Sequence, residues 1–415
     1  SSWEVWAKRE AYNSPLVRRL LVKNLQDQGF TEVFLDSQVL GQQPQVYFEA
    51  NGYRYQRDSL DIRASGGRVR VTQPGDPPVT RVYGGTLRLQ PNTYGTYTLV
   101  NSVPIETYLR GVVPHEIGPS APVPAIQAQT VLARTYALRN LRRFAIDDYQ
   151  LCADTQCQVY RGLTGTAPAA DQAIVATQGQ VLTYQNELVD ALYSSTTGGV
   201  TAAFSDVWEG PDRPYLRPVV DSVYGLWDID QYPLSSEEAV RRFIALDQGF
   251  NEDTWQLFRW RNEGTLAEIT ADLKGYLGRR QHPMAGLREV RSLTVSERAN
   301  SGRVQTIDIE TDLGLVQLKK DEIVRVLRPP RSLLFYLEPM YAAGAAGTVT
   351  PELTPELTGY RFVGGGWGHG VGLSQTGSYR LGNLGWSYPR ILQFYYPGTT
   401  LQPIGENLTF WRDPS

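Results

Sequence analysis

His115 and Glu116 put an imidazole and a carboxyl group side by side in the stretch NSVPIETYLRGVVPHEIGPSAPVPAIQAQTVLARTYALRN, residues 101–140 of a 415-residue chain. A glutamic acid in a partly apolar pocket can keep its proton near neutral pH and pass it to a leaving oxygen, the step that glycosidic cleavage requires. A second candidate group is YSSTTGG at 193–199, where Ser194, Ser195 and Thr197 stand at a strand end beside Tyr193. Small hydroxyl residues there suit close approach of a substrate, and equally suit a tight turn whose hydroxyls bond their own backbone. A third is GGGWGHGVGLSQTGSY at 364–379, where glycines at 364, 365, 366, 368, 370 and 372 surround Trp367 and His369, and Ser374, Gln375 and Tyr379 follow. Such a backbone folds tightly and can present an indole and an imidazole at a surface. It is no phosphate loop: no alternating βαβ series leads into it and no Lys-Ser/Thr pair follows.

These groups need elements to hold them. The 101–140 stretch reads as an extended run, then a Gly/Pro-rich turn carrying Glu116, then a helix from the Ser120/Pro122 cluster to about residue 143. Pro124 suits its first turn, where a missing N–H costs nothing. Ala125, Ala128, Leu132, Thr135 and Leu138 recur at helical spacing, which predicts a small-residue amphipathic helix, buried, with its positive N-terminal end toward the turn of His115, Glu116 and Ile117. Gln127 and Arg134, seven apart, lie on one side of it. Spacing alone leaves two readings open: Glu116 held near donors, or a solvated loop carboxylate with Arg134 a surface cation.

The remaining pattern predicts an α+β fold, a β-rich main domain at 65–415 carrying the central buried helix. Residues 1–64 read as a small α+β accessory unit: a strand at 3–8, a helix from Asn13/Ser14 to Gly29, a strand at 32–35, and a hairpin of 46–50 with 53–56 around Asn51-Gly52. Strands at 69–72, 80–83, 86–89 and 97–100 then present the helix. After it come a short helix at 171–179 and a hairpin of 181–184 with 188–194 around Gln185-Asn186. Residues 221–289 read as a mostly helical insertion, with helices at 236–246 and 266–276. Strands resume at 290–297, 304–310 and 314–319, with a helix from Asp321. The Ala, Gly, Thr and Pro rich segment 342–358 reads as a loop, and helices at 373–381 and 388–395 close the domain.

Composition excludes several classes. A formal charge of −3 with 40 dispersed Lys and Arg gives no basic footprint for nucleic acid. No apolar run is long enough to span a bilayer, and no charged, apolar, small-residue leader opens the sequence, so an export signal is expected to be missing from it. Two cysteines fit an exported protein without requiring one.

YLRGVVPHEI followed by AIQAQTVLARTYAL resembles the signature of the SpoIID/LytB family of peptidoglycan-acting proteins. CADTQCQVYRG at 152–162, YSSTTGG, and GGGWGHGVGLSQTGSYRLGNLGWSYPRILQFYYPGTTL at 364–401 are similar to the family's further blocks and stand in its order. The resemblance implies an extracytoplasmic lytic transglycosylase that cuts between N-acetylmuramic acid and N-acetylglucosamine in peptide-free glycan strands and leaves anhydro-muramyl ends. It places the general acid at Glu116 and gives Arg134 the role of orienting substrate or shaping the field at Glu116. Substrate-contacting positions are then His115, Gln127, Tyr193, Ser194, Ser195, Thr197, Trp367, His369, Ser374, Gln375 and Tyr379. No second carboxylate is evident in the matching blocks, as a route closed by the muramic acid's own hydroxyl allows. The family also implies an alternative of another class, a non-catalytic amidase enhancer that binds glycan or a cell-wall amidase and stimulates it. Where some members read Thr-His-Cys and bind zinc, this chain has Thr155-Gln156-Cys157. The missing ligand makes zinc a weak candidate and a Cys152–Cys157 disulfide the expectation, with no other cofactor implied. The β-α-β-β order of 1–64 resembles a SPOR-type glycan-binding module.

Overall fold

Asn51 and Gly52 take left-handed conformations (φ 51° and 77°), and the strands they join, β1 (Val46–Ala50) and β2 (Tyr53–Arg57), pair in register as the Asn-Gly turn dictates. The computed structural model describes residues 22, 25, 26, 29, 46–92, 96–342 and 356–410. Of the helix expected to end at Gly29, Val22, Leu25 and Gln26 are helical, and Gly29 takes a φ of 94°. The strands expected at 3–8 and 32–35, and most of the loop expected at 342–358, lie outside the described residues.

The chain divides into two compact units, residues 1–120 with 133–178, and residues 121–132 with 179–415. In the first unit β3 (Leu60–Ile62), β6 (Thr86–Pro91) and β7 (Tyr97–Ser102) form an antiparallel sheet in the order β3-β6-β7, and β4 (Arg68–Gln73) pairs with β5 (Val79–Gly84). The strand at 60–62 therefore joins a sheet whose other members lie beyond residue 64. The run expected to be extended after residue 101 turns into helix α1 (Ile105–Arg110), which corrects the reading. Pro104 precedes it, Glu106 lies in the first turn and Arg110 in the last, the charge placement that a helix dipole favours. Glu116 then ends a one-turn helix, α2 (Val113–Glu116).

Helix α3 (Val123–Arg139) contributes its first half to one unit and its second half to the other. It is buried on nearly every side from Ala125 to Ala137, Gln127 being half-buried, so the expected burial holds while the expected polar face is absent. Alanine makes this possible, since a short side chain lets backbone approach backbone without a cavity. Helix α4 (Pro168–Ala176) completes the first unit.

In the second unit β8 (Gln180–Tyr184) and β9 (Glu187–Leu188) form the expected hairpin, with φ of 50° and 63° at Gln185 and Asn186, and β18 (Thr400–Pro403) pairs with β8. The segment beyond β9 leaves that hairpin: β10 (Tyr193–Ser194) runs parallel to β17 (Leu373–Ser374) instead. Within 221–289 lie the helices α5 (Glu237–Ala245), capped by Ser236, and α6 (Leu266–Arg279), opened by a Thr265/Glu268 capping box. The same segment also supplies β11 (Arg259–Thr265), which pairs with β16 (Leu357–Gly365) in the sheet β11-β16-β15, where β15 is Phe335–Tyr341. β12 (Val290–Arg298), β13 (Val304–Thr311) and β14 (Gly314–Lys319) form an antiparallel meander followed by α7 (Asp321–Val326). Phe243, Phe250 and Phe258 pack ring to ring, 5.3 Å apart at each step, at the centre of this unit's apolar core. α8 (Gln375–Asn383) and α9 (Tyr388–Tyr395) close it. Among the described residues no helix is long and apolar enough to cross a membrane.

Candidate functional site

In the first unit Glu116 is half-buried at the end of α2, where its Oε1 accepts a 2.6 Å hydrogen bond from the Val159 amide. Val159 belongs to the CADTQCQVYRG block, so two sequence blocks meet at this carboxyl group. Tyrosines gather about it. Tyr108 donates to Gln158 at 3.0 Å and stacks on Tyr160 with 5.0 Å between centroids. Burial pushes the hydroxyl of Tyr108 well above the ordinary tyrosine range and raises that of Tyr136 against the pull of Arg143, and the Glu116 charge adds to both. The rings thus stay neutral, and their hydroxyls are taken up by other partners, Tyr108 by Gln158, Tyr160 by Asn101 and Tyr136 by Arg143.

Arg134 is wholly buried and forks onto Glu106, Nε to Oε1 at 2.9 Å and Nη2 to Oε2 at 2.7 Å, with Thr177 at 3.5 Å. It is no surface cation. Glu106 escaped the sequence reading because its partner lies 28 residues away; the available signal was its place just after Pro104 at a helix start. His115 is half-buried, and its Nε2–H donates to the Thr164 carbonyl at 2.8 Å.

Cys152 and Cys157 are joined as a disulfide. The donor set does not fit the zinc that some family members bind: the two sulfurs hold each other, the third position is Gln156, and His115 is engaged with Thr164. Among the described residues no group of three or more His, Cys, Asp or Glu is placed to hold a metal.

In the second unit the fold interlocks the hydroxyl and glycine motifs. Tyr193 and Ser194 pair with Leu373 and Ser374, and Thr196 bridges Trp367, with Trp367 N–H donating to the Thr196 carbonyl at 3.0 Å. Gly198, at φ 76°, lies so close to the Gly365 backbone that a Cβ would come within 2.5 Å of the Gly365 carbonyl carbon, which is why glycines face each other here. Trp367 is 50 % exposed. Tyr193, Ser195, His369, Gln375 and Tyr379 are half-buried, while Ser194, Thr197 and Ser374 are buried. The Ser194 hydroxyl has no hydrogen-bond partner among the described residues, and Gln375 donates to the buried Gln129 at 3.4 Å. Burial pushes His369 down to about 4, so its imidazole is neutral; Nδ1 accepts from the Val371 amide at 3.0 Å, and the ring packs on Trp208 with 5.0 Å between centroids.

Two carboxyl groups that the sequence reading passed over stand behind these motifs. Glu252 is 1 % exposed and accepts four bonds: from the Thr197 amide at 2.6 Å, the Thr197 hydroxyl at 3.0 Å, the Gly199 amide at 2.8 Å, and the Ser374 hydroxyl. Asp221 is wholly buried. Its Oδ1 accepts from Asn251 and Tyr395, each at 2.8 Å, and its Oδ2 meets no donor. Burial, with the neighbouring Glu252 charge, pushes Asp221 well above the usual carboxylate range, so Asp221 keeps its proton. A Cβ at Gly377 would collide with Asp221 Oδ2 and the Tyr395 hydroxyl, so Gly377 leaves room for the pair. Both acids come from 221–289, where the sequence offered helix patterns and no motif.

Comparison with known proteins matches residues 93–184 to the stage II sporulation protein family and residues 202–372 to a domain of unknown function. The amidase enhancer of Bacillus subtilis is 27 % identical over 77 % of this chain and 47 % of its own length, so the chain spans about half of that relative. Stage II sporulation protein D of the same organism is 25 % identical over 76 % of this chain and 80 % of its own length. An uncharacterized protein of Brachyspira hyodysenteriae is 26 % identical over 81 % and 76 %. Residues 93–184 thus carry a domain of the stage II sporulation protein family, and the chain as a whole is similar to SpoIID/LytB proteins.

Proposed function

We propose that this protein is an extracytoplasmic lytic transglycosylase acting on the peptide-free glycan strands of peptidoglycan, with Glu116 as its acid and then its base. The observation that carries the reading is the Glu116 carboxyl group, half-buried among neutral tyrosines and oriented by the Val159 amide. Glu116 gives its proton to the oxygen between N-acetylmuramic acid and N-acetylglucosamine, and the C1–O bond breaks. The C6 hydroxyl of the same muramic acid attacks C1 and returns its proton to Glu116. No water enters, and one carboxyl group serves both steps without the second carboxylate that a two-carboxylate hydrolase uses. Arg134, buried and forked onto Glu106, is assigned a positioning role, fixing α1 against α3 rather than touching sugar. Trp367 offers a ring face for a pyranose.

A second reading, stimulation of a cell-wall amidase, is favoured by the relative called amidase enhancer. Digestion of peptide-free glycan by the purified protein alone separates the two. Muramyl ends one water lighter than hydrolysis products support the transglycosylase; reducing ends indicate a hydrolase. Intact strands, with faster amidase turnover on whole peptidoglycan, would transfer the assignment to the enhancer.

A further inference from the structure

Four of the six backbone polar groups of the Thr197–Gly199 loop are held by charged side chains. Glu252 takes the Thr197 and Gly199 amides, Arg303 Nη2 donates to the Thr197 carbonyl at 2.7 Å, and Arg259 Nη1 donates to the Gly198 carbonyl at 2.9 Å. Arg303 is 1 % exposed, and the Arg259 guanidinium lies 3.7 Å over the Phe258 ring. The front of the loop is the Thr196 bridge to Trp367, and Ser374, which also donates to Glu252, begins the helix that carries Gln375. One carboxylate therefore ties both motifs together from inside the region matched only to a domain of unknown function. A loop gripped at two amides and two carbonyls has little freedom, and rigidity of this kind preorganises a binding surface.

We propose that Glu252 is a positioning residue that fixes the Thr196–Trp367 bridge so that the exposed Trp367 ring is presented to glycan; the glycan part rests on the function proposed above. Asp221 stands beside the same helix start, its Oδ1 anchored by Asn251 and Tyr395 and its opposite oxygen against Gly377. The grip is specific to a carboxylate. A glutamine at 252 would turn an N–H₂ group toward amide donors that require an acceptor.

The test measures binding of a peptide-free oligosaccharide of alternating N-acetylglucosamine and N-acetylmuramic acid, every variant carrying Glu116→Gln so that turnover does not intervene. Glu252→Gln is expected to weaken binding roughly tenfold, within the range for coupled neighbouring groups. In a Trp367→Ala background the same change should have no further effect. Equal weakening in both backgrounds, or none in either, overturns the proposal. Amide hydrogen exchange provides a readout independent of sugar: Glu252→Gln should speed exchange at Thr197, Gly199 and Trp367 while α6 stays protected, and a uniform rise would mean loss of stability instead. If Glu252→Gln does not fold, Thr197→Val removes one of the four bonds and should give a smaller loss of binding that likewise vanishes without Trp367. A parent that binds no glycan refutes the proposed function, and the exchange pattern then decides by itself whether Glu252 holds Trp367.

Discussion

Asp221→Asn exposes the buried carboxyl pair through the pH dependence of stability. In the folded chain Asp221 is wholly buried beside Glu252 and holds its proton well above the usual carboxylate range, in which an unfolded aspartate releases it. Above pH ~4 the unfolded state therefore binds one proton fewer at this residue than the folded state. Stability from Asp221 is fully present below the unfolded pKa and is lost as pH rises, by about 1.4 kcal/mol per pH unit for one proton, until the folded pKa is reached. Asparagine preserves the geometry: its oxygen can accept from Asn251 and Tyr395 as Oδ1 does, and its N–H₂ takes the place of the protonated Oδ2. It has no proton to lose, so the parent-to-variant difference isolates this residue while other titrations cancel. Urea unfolding at a series of pH values from about 4 upward should show the variant gaining on the parent at close to that slope. Parallel stability curves, or a parent that gains on the variant as pH rises, would refute a protonated Asp221.

Glu116→Gln should keep the fold and glycan binding while lowering turnover of peptide-free glycan ~10²–10⁴-fold; residual activity within a few-fold of the parent would contradict the acid role. Glu106→Gln removes the anionic fork from the buried Arg134 and should cost about 3 kcal/mol in denaturant unfolding, a loss below 1 kcal/mol counting against a structural ion pair. Reducing Cys152–Cys157 opens a short loop and should cost about 2 kcal/mol by chain entropy, read as a lower urea midpoint in reductant, while intact mass rises by two hydrogens. A chain starting at residue 59 should retain a cooperative melt, whereas one starting at 65 loses the edge strand Leu60–Ile62 and should melt lower.

Local chemistry made much of the fold legible. Asn51-Gly52 and Gln185-Asn186 announce hairpins because few residues accept a positive φ, and Ser236 and Thr265 announce helix starts because their hydroxyls take up amide donors. The run after residue 101 was misread because Ile105, Tyr108 and Leu109 suit a strand as well as a helix, and the Glu106–Arg134 fork that rewards the helix is a tertiary fact. β15 and β16 escaped notice for a related reason: each satisfies its backbone with a strand far away in sequence, β16 pairing with both β11 and β15.

The candidate sites divide along the same line. Glu116, Ser194, Trp367 and Gln375 stand in stretches whose residue types are unusual together, so chemistry could be read from them directly. Asp221 and Glu252 stand in ordinary sequence, and what distinguishes them is wholly three-dimensional: burial, four converging donors and a glycine that leaves space. A carboxylate that accepts two amides and two hydroxyls looks in sequence like any solvated glutamate. Burying an acid beside it is costly, and the cost is offset only if one of the two keeps a proton and the other is fully hydrogen-bonded. The pair meets both conditions, and the loop it secures is the one joined to Trp367. The region least legible in sequence is thus the one on which the geometry of the most legible motif depends.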